Sequence, residues 1–277
     1  MQPLIDADIL VYEVGSAAEY GWKKGGVPPF EYVESFLEKA VKDICAAVWA
    51  TEEPILFLST DKNFRYDVAK LKPYKGNRKH EARPWHYENI RAYMMARWHT
   101  RLCDGYEADD GLGITQYSRL EERDTIICSR DKDLRMIPGF HYTWKRGLQP
   151  EWGPEWVDDL GWLSLSERTV QPSNPEKPPY KKYKCKGVGK KFFYAQCLMG
   201  DITDNIPGLP GAADLKAYKL LNDANSEVEC HKIVSDAYIS IYGEEKAAEQ
   251  LKEQAQLLWI VREFNPDGSL KMWTPPT

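Results

Sequence analysis

The sequence predicts an α/β protein, a central and mostly parallel sheet flanked by helices, followed by a C-terminal helical region. Three observations predict it. Apolar runs at Leu4 to Tyr12, Pro54 to Leu58 and Thr125 to Ser129 read as buried strands of the kind found in parallel sheets, which are covered on both faces. Phe30 to Ala50 carries apolar residues at Phe30, Val33, Phe36, Leu37, Ala40, Val41, Ile44 and Val48, a helical period suited to a crossover between the first two strands. Beyond Lys190 the patterns are helical throughout.

Each strand carries acids at or near its end: Asp6 and Asp8, then Asp61, then Asp131 and Asp133. In an open parallel sheet, ligands bind outside the carboxyl ends of the strands, so these acids stand where chemistry occurs. Glu107-Ala108-Asp109-Asp110 opens a helical segment from Gly111 to Leu120, placing three carboxylates at a helix N-terminus, where the macrodipole favours them. From Arg146 to Gly189, Pro150, Pro154, Pro172, Pro175, Pro178 and Pro179 interrupt regular structure, and about 150–189 reads as a Pro-rich loop with an exposed loop or linker at Asn174 to Pro179. Lys190 to Met199 resumes a helical pattern and delivers Asp201 and Asp204. Helices then follow at Ala212 to Asn222, Ser226 to Tyr242 and Glu244 to Glu263. The expected organisation is an α/β domain over 1–189, containing a basic segment at about 69–101, and a helical region over 190–277.

With 277 residues and 43% hydrophobic content, the chain can bury a sizeable core. No uncharged run approaches the roughly 20 residues of a membrane span, and no basic leader precedes the first strand. The expectation is a cytoplasmic protein with no membrane contact. The six cysteines (Cys45, Cys103, Cys128, Cys185, Cys197, Cys230) form no C-x-x-C pair and read as reduced buried thiols rather than disulfides or zinc ligands. The net charge of −5 is distributed unevenly. Nine Lys/Arg face two acids between Ala69 and Arg101, and seven lysines with no acid lie between Lys177 and Lys191. Such basic stretches are either solvated faces or polyanion-binding surfaces.

Any single acid here suits a turn or an N-cap. Their recurrence at strand ends suits metal binding better, because close carboxylates repel unless divalent cations neutralise them. Oxygen-only donors favour Mg²⁺ or Mn²⁺. At Asp201-Ile202-Thr203-Asp204 two acids run directly into the glycine turns of Gly208-Leu209-Pro210-Gly211, so backbone N–H groups that can hold a phosphate stand beside them.

In order, Asp6, Asp61, Tyr74-Lys75-Gly76-Asn77-Arg78, Glu107-Ala108-Asp109-Asp110, Ser129-Arg130-Asp131-Lys132-Asp133 and Gly200-Asp201-Ile202-Thr203-Asp204-Asn205-Ile206-Pro207-Gly208 resemble the flap endonuclease and 5′→3′ exonuclease superfamily. Within it the likeness is greatest to the 5′→3′ exonucleases of short-tailed phages. Ser16-Ala17-Ala18-Glu19, Ile137-Pro138 and Gln256 to Trp273 extend it over nearly the whole chain.

The resemblance implies a PIN-like 5′-nuclease fold and two Mg²⁺ or Mn²⁺ ions. Asp6, Asp61, Glu107, Asp109 and Asp131 would lie mainly at the first metal and Asp133, Asp201 and Asp204 at the second, with Asp110 bridging or behind them. Lys75 and Arg78 would be catalytic cations. Tyr74, Lys75, Arg78 and Lys79 match the base of a helical arch that contacts DNA. Gly208, Leu209, Gly211 and Lys216 match a helix-three-turn-helix that grips duplex backbone with K⁺. The implied activity is exonucleolytic hydrolysis from 5′ ends of duplex DNA, or cleavage of 5′ flaps, with RNA in RNA–DNA hybrids as a further substrate. The implied setting is phage replication, primer removal or recombination, by a monomer in the host cytoplasm.

The physics of phosphodiester hydrolysis asks for the same parts: metals on the attacking and leaving oxygens, and a cation for the added negative charge. Lys75 and Arg78 also suit exposed loop residues. Tyr74 suits stacking on a terminal base or a rim aromatic, and Trp85, His86 and Tyr87 suit helix packing. The turn departs from the family where Ala212-Ala213-Asp214 replaces a third glycine and a nearby lysine, which bears on K⁺ and duplex binding. Asp8 is an extra acid. Two other readings account for part of the pattern. Asp6-Ala7-Asp8 and Gly200-Asp201-x-x-Asp204 also resemble a haloacid-dehalogenase-type phosphatase, and a non-catalytic DNA-binding protein would make the acids structural.

Overall fold

The computed structural model describes residues 1–77, 82–174 and 176–277. The elements run β1 (Gln2–Asp6), α1 (Ala7–Gly21), α2 (Phe30–Ala47), β2 (Ile55–Asn63), α3 (Arg65–Val68), α4 (Tyr87–Arg97), β3 (His99–Gly105), α5 (Ala108–Ser118), β4 (Thr125–Cys128), β5 (Gly139–Thr143), β6 (Trp152–Val157), β7 (Leu163–Val170), β8 (Tyr180–Gly187), α6 (Gly189–Met199), α7 (Asp214–Leu221), α8 (Glu227–Tyr242) and α9 (Glu244–Leu258). A 3₁₀ turn at Asp133–Met136 follows β4. They form two compact units.

The first unit comprises Met1–Phe64, Lys79–Val157 and Ile260–Lys271. Its six-stranded sheet has the order β3-β2-β1-β4-β5-β6, parallel except for β6, which pairs antiparallel with β5. Successive strand residues point to opposite faces, and both faces are apolar. Ile5, Leu56, Leu58, Ile126 and Cys128 pack with α1, α2 and α4 on one side. Leu4, Ile55, Phe57 and Ile127 pack with Ala108, Leu112, Leu134 and Ile260 on the other. The chain steps outward from β1 to β2 and β3, then returns across the sheet to β4. The switch point of this doubly wound sheet therefore lies between the ends of β1 and β4.

The first strand is shorter than its apolar run predicts. β1 stops at Asp6, whose side chain caps α1 by accepting from the Ile9 N–H at 3.3 Å. The rest of that run is helix, buried at Ala7, Leu10, Val11 and Val14. Continuous apolar sequence does not separate a buried strand from a buried helix. The basic segment at about 69–101 contains α4, with His86 buried at its N-cap and Tyr87 against Tyr12 at 5.4 Å between centroids, whereas Trp85 is exposed.

The second unit comprises Arg65–Arg78, Asp158–Trp259 and Met272–Thr277. Its centre is α6, buried continuously from Phe192 to Leu198. Tyr238 of α8 donates to the Cys197 carbonyl at 2.7 Å, and the rings of Trp259 and Trp273 stand 5.1 and 6.1 Å from Phe193. Lys190 lies between Asp159 at 2.6 Å and Glu227 at 2.5 Å. Asp214 accepts from the Cys185 N–H at 2.8 Å, joining α7 to β8.

Two expectations about organisation change. The stretch 150–189 is not one Pro-rich loop, since β6, β7 and β8 lie in it, with an exposed connection between β7 and β8. Pro154 sits on the edge strand β6, where a missing N–H is tolerated. The units also divide at Val157 and Asp158 rather than at 189/190, and Arg65–Arg78 joins the helical unit. Arg65 explains the latter: buried, it donates to the Leu257 and Trp259 carbonyls at 3.0 and 2.8 Å, capping α9. Glu253 of α9 accepts from the N–H groups of Lys70 and Leu71. All six cysteines are free thiols. Among the described residues no helix is long and apolar enough to cross a membrane.

Candidate active site

Asp6 is 2% exposed, and its second oxygen accepts from the Ser129 hydroxyl at 2.6 Å. The same hydroxyl oxygen accepts from the Asp131 N–H at 2.9 Å, and Asp131 in turn accepts from the Asp133 N–H at 2.8 Å. One serine at the end of β4 therefore sets the spacing between the acids of two strands. Burial pushes the Asp6 carboxyl up to about 7, against the Ser129 hydrogen bond, and the charges of Asp8 and Asp131 push the same way. A carboxylate in this condition gains from a nearby cation.

Asp8 is the extra acid of the first motif. It accepts from the Ser59 N–H at 3.0 Å and pairs with Arg91 at 3.3 Å, while Arg91 donates to the Ser59 carbonyl at 2.8 Å. Burial raises its pKa and the Ser59 hydrogen bonds oppose the shift. The Ser59 hydroxyl accepts from Ala108 N–H at 2.8 Å, fixing the start of α5 against the end of β2. Glu107 occupies the N-cap of that helix. Asp110, fully buried, accepts from the N–H groups of Glu107 at 3.0 Å and Val261 at 2.9 Å, so it holds the helix entry from behind. Asp109 is half-buried, and Asp61 is exposed near the end of β2, where Thr60 and Lys62 bind Asp104. Beside Asp131 lies a cleft of about 500 Å³ lined by Ile9, Arg130, Lys132 and Gln149.

In the second unit, Asp201 and Asp204 occupy the turn after α6. Asp201 pairs with Ile206 through both backbone groups, at 2.9 and 2.8 Å, and its side chain accepts from the Thr203 N–H at 2.7 Å. Asp204 accepts from the Tyr74 hydroxyl at 2.9 Å, and its carbonyl from the Lys75 N–H at 3.0 Å. Asn205 donates to the Pro73 carbonyl at 2.9 Å and Asn77 to the Ile202 carbonyl at 2.5 Å. Lys75 (φ 55°) and Asn205 (φ 61°) are both left-handed, an uncommon conformation that these contacts hold in place. The Lys75 ammonium stands 4.9 Å over the Tyr74 ring.

Tyr74 is 4% exposed, so its face is not open to a base; the exposed partner in its aromatic pair is Tyr66, 55% exposed at 5.7 Å. Gly208 and Leu209 are buried in the turn. A side chain on Gly208 would strike the Gly200 nitrogen at 2.3 Å, and Leu209 N–H donates to the Leu198 carbonyl at 2.8 Å. Gly211 and Lys216 are exposed. Arg78 and Lys79 lie outside the described residues. Among the described residues no three His, Cys, Asp or Glu side chains form a ready metal-holding group. Ser59 and Arg91 do not stand out in the sequence, and Ser129 stands there only as the first residue of the Ser129 to Asp133 motif, with no role of its own. The available signal for the serines is their position, each directly after an apolar strand run.

No protein-family model matches the chain. DNA polymerase I of Bacillus caldotenax is 27% identical over 186 residues, which are 63% of this chain and 18% of that protein. A 5′-3′ exonuclease of Buchnera aphidicola subsp. Schizaphis graminum is 27% identical over 161 residues, 56% of this chain and 47% of that protein. The chain thus spans less than half the length of these relatives. The flap endonuclease of bacteriophage T5, solved as a pseudo-enzyme–product complex with DNA and metal ions, superposes with a TM-score of 0.51 at 13% identity, covering 93% of this chain and 98% of that one. The chain has the fold of the T5 flap endonuclease. A second T5 structure, co-crystallised with metal ions, superposes at a TM-score of 0.50 and 14% identity over 93% of this chain and 99% of that one. The sequence relatives and the solved structures thus both include 5′ nucleases by name, and the structures share this chain's fold. Within this fold, Asp6, Ser129 and Asp131 occupy the sheet's switch point.

Proposed function

We propose that the chain is a Mg²⁺- or Mn²⁺-dependent 5′ nuclease that hydrolyses phosphodiester bonds from the 5′ ends of duplex DNA, with RNA in RNA–DNA hybrids as a further substrate. The observation that carries the reading is the Asp6–Ser129–Asp131 linkage at the switch point, where one hydroxyl joins a buried carboxylate to the backbone of a second acid. The fold and the names of the similar proteins support it.

The donor set fits hard divalent ions, since every candidate ligand is an oxygen. Asp6, Asp61, Glu107, Asp109, Asp131 and Asp133 would supply carboxylates in the first unit, and Asp201 and Asp204 in the second. Asp110, with backbone N–H groups on both oxygens, supports Glu107 from behind. When bound, such ions lower the energy of the attacking and leaving oxygens as Lewis acids. The chain's own residues do the rest. Ser129 orients Asp6, and Tyr74 orients Asp204. Lys75, held by its backbone beside Asp204, carries a positive charge that offsets the negative charge gained by the phosphate. Gly211 and Lys216 offer exposed groups for duplex phosphates.

The test is digestion of blunt and 5′-flapped duplexes, labelled at either end, with Mg²⁺ and with EDTA. Mg²⁺-dependent release of 5′ label is expected, and release confined to 3′ label would overturn the reading.

A further inference from the structure

The lysine-rich stretch found in the sequence is not consumed by the site just described. In the second unit it forms β8, paired antiparallel with β7 in the register Ser164↔Lys186, Ser166↔Lys184, Arg168↔Lys182. Facing residues in such a ladder share one side of the ribbon. All six of these residues are exposed, and each side chain can donate a hydrogen bond to a phosphate oxygen. The opposite side is different: Leu163 and Cys185 are buried there and Leu165 is half-buried, with Lys181 paired to Glu167 at 2.9 Å. Lys190 and Lys191 are also committed, to Asp159 and Glu227 and to the Asn222 carbonyl. On the outward face Lys184 approaches Asp214 at 3.5 Å, while Arg168, Lys182 and Lys186 make no ion pair with any described residue.

From this face we infer that the β7–β8 ribbon is a second nucleic-acid contact, which binds the phosphate backbone of duplex DNA. Alternate strand residues lie about 6.8 Å apart, so the three facing pairs set a regular row of donors along the ribbon, as contact with a repeating phosphate backbone requires. A two-stranded ribbon also has the width to follow the major groove. The face carries two well-separated aromatics, Trp162 before β7 and Tyr180 at the far tip, and no platform for successive bases, which favours duplex backbone over an unpaired strand. The inference rests on the nuclease reading only in taking DNA as the polyanion.

The test measures binding of a fluorescent blunt duplex in EDTA as salt is raised, for the wild type and for the Arg168→Gln/Lys182→Gln/Lys186→Gln variant. The slope of log Kd against log salt should fall by about 0.9 for each phosphate that the variant no longer neutralises, a total approaching 2.7 for three. The charge-retaining Arg168→Lys/Lys182→Arg/Lys186→Arg variant should keep the wild-type slope, which separates removal of charge from misfolding. Parallel slopes for wild type and the glutamine variant overturn the inference and leave the nuclease reading intact. So does an equal fall in Lys181→Gln, on the other face, or a fall confined to the single strand. A wild type that binds no duplex at all overturns the nuclease reading itself.

Discussion

The ends of β1 and β4 and the turn after α6 both present acids, and they hold them by different physics. Asp6 is placed by sheet topology and buried, so its charge is costly and its pKa is raised. Asp201 and Asp204 are half-buried and placed by a turn, where backbone pairing, two left-handed residues and one tyrosine hydroxyl determine their direction. Topology makes the first group robust in position and sensitive to charge. Local hydrogen bonding makes the second sensitive to the removal of a single hydrogen bond.

The largest effect expected from this difference is at the strand ends. Asp131→Asn keeps the size of the side chain and removes its charge. If it forfeits the several kcal/mol that metal ligation contributes to catalysis, steady-state cleavage of 5′-labelled duplex should fall by about 10³-fold or more. Unchanged turnover would remove Asp131 from the reaction.

Next in size is a pH effect on stability in metal-free protein. The folded pKa of Asp6 is raised from 3.8 to about 7, so its contribution is present below about 4 and is lost as pH rises to about 7. His141 works in the opposite sense. Burial pushes it from 6.5 to about 4 while its ring nitrogen bonds the Ile137 carbonyl at 2.7 Å, so its contribution is lost as pH falls from about 6.5 to about 4. At about 1.4 kcal/mol per pH unit, Asp6 is worth roughly 4.5 kcal/mol and His141 roughly 3.5 kcal/mol. Urea melts of the wild type should therefore vary little between pH 4 and 7. Asp6→Asn should gain stability with rising pH over that range, and His141→Gln should lose it. Two variants with the same slope would contradict the assignment.

Tyr74→Phe tests the turn. Removing the hydroxyl that holds Asp204 should lower activity by roughly 10- to 100-fold, the usual cost of losing a group that orients a ligand. The melting temperature should change little, because the ring keeps its packing against Tyr66. A collapse of stability with proportionate loss of activity would make Tyr74 a packing residue.

The sheet was largely legible because parallel strands buried on both faces read as continuous apolar runs, as at Ile55 to Leu58 and Thr125 to Cys128. The same property hid the junction of β1 and α1, where an apolar run continues through Asp6 into a helix with a broad buried face. β7 and β8 were obscured by the prolines between them, although Leu163-Ser164-Leu165-Ser166 has the alternation of a half-buried strand. The acids were visible as charges at strand ends. Ser129 and Ser59 were not, because a serine after a strand carries no charge signal and its importance lies in which carboxylate the fold brings to it.

Divalent-ion binding at the strand-end acids is the central claim, and Mn²⁺ titration followed by electron paramagnetic resonance tests it without requiring turnover. The wild type should bind Mn²⁺, and Asp6→Asn and Asp131→Asn should each weaken that binding by about 10-fold or more. Binding equal to wild type in both variants would contradict the account.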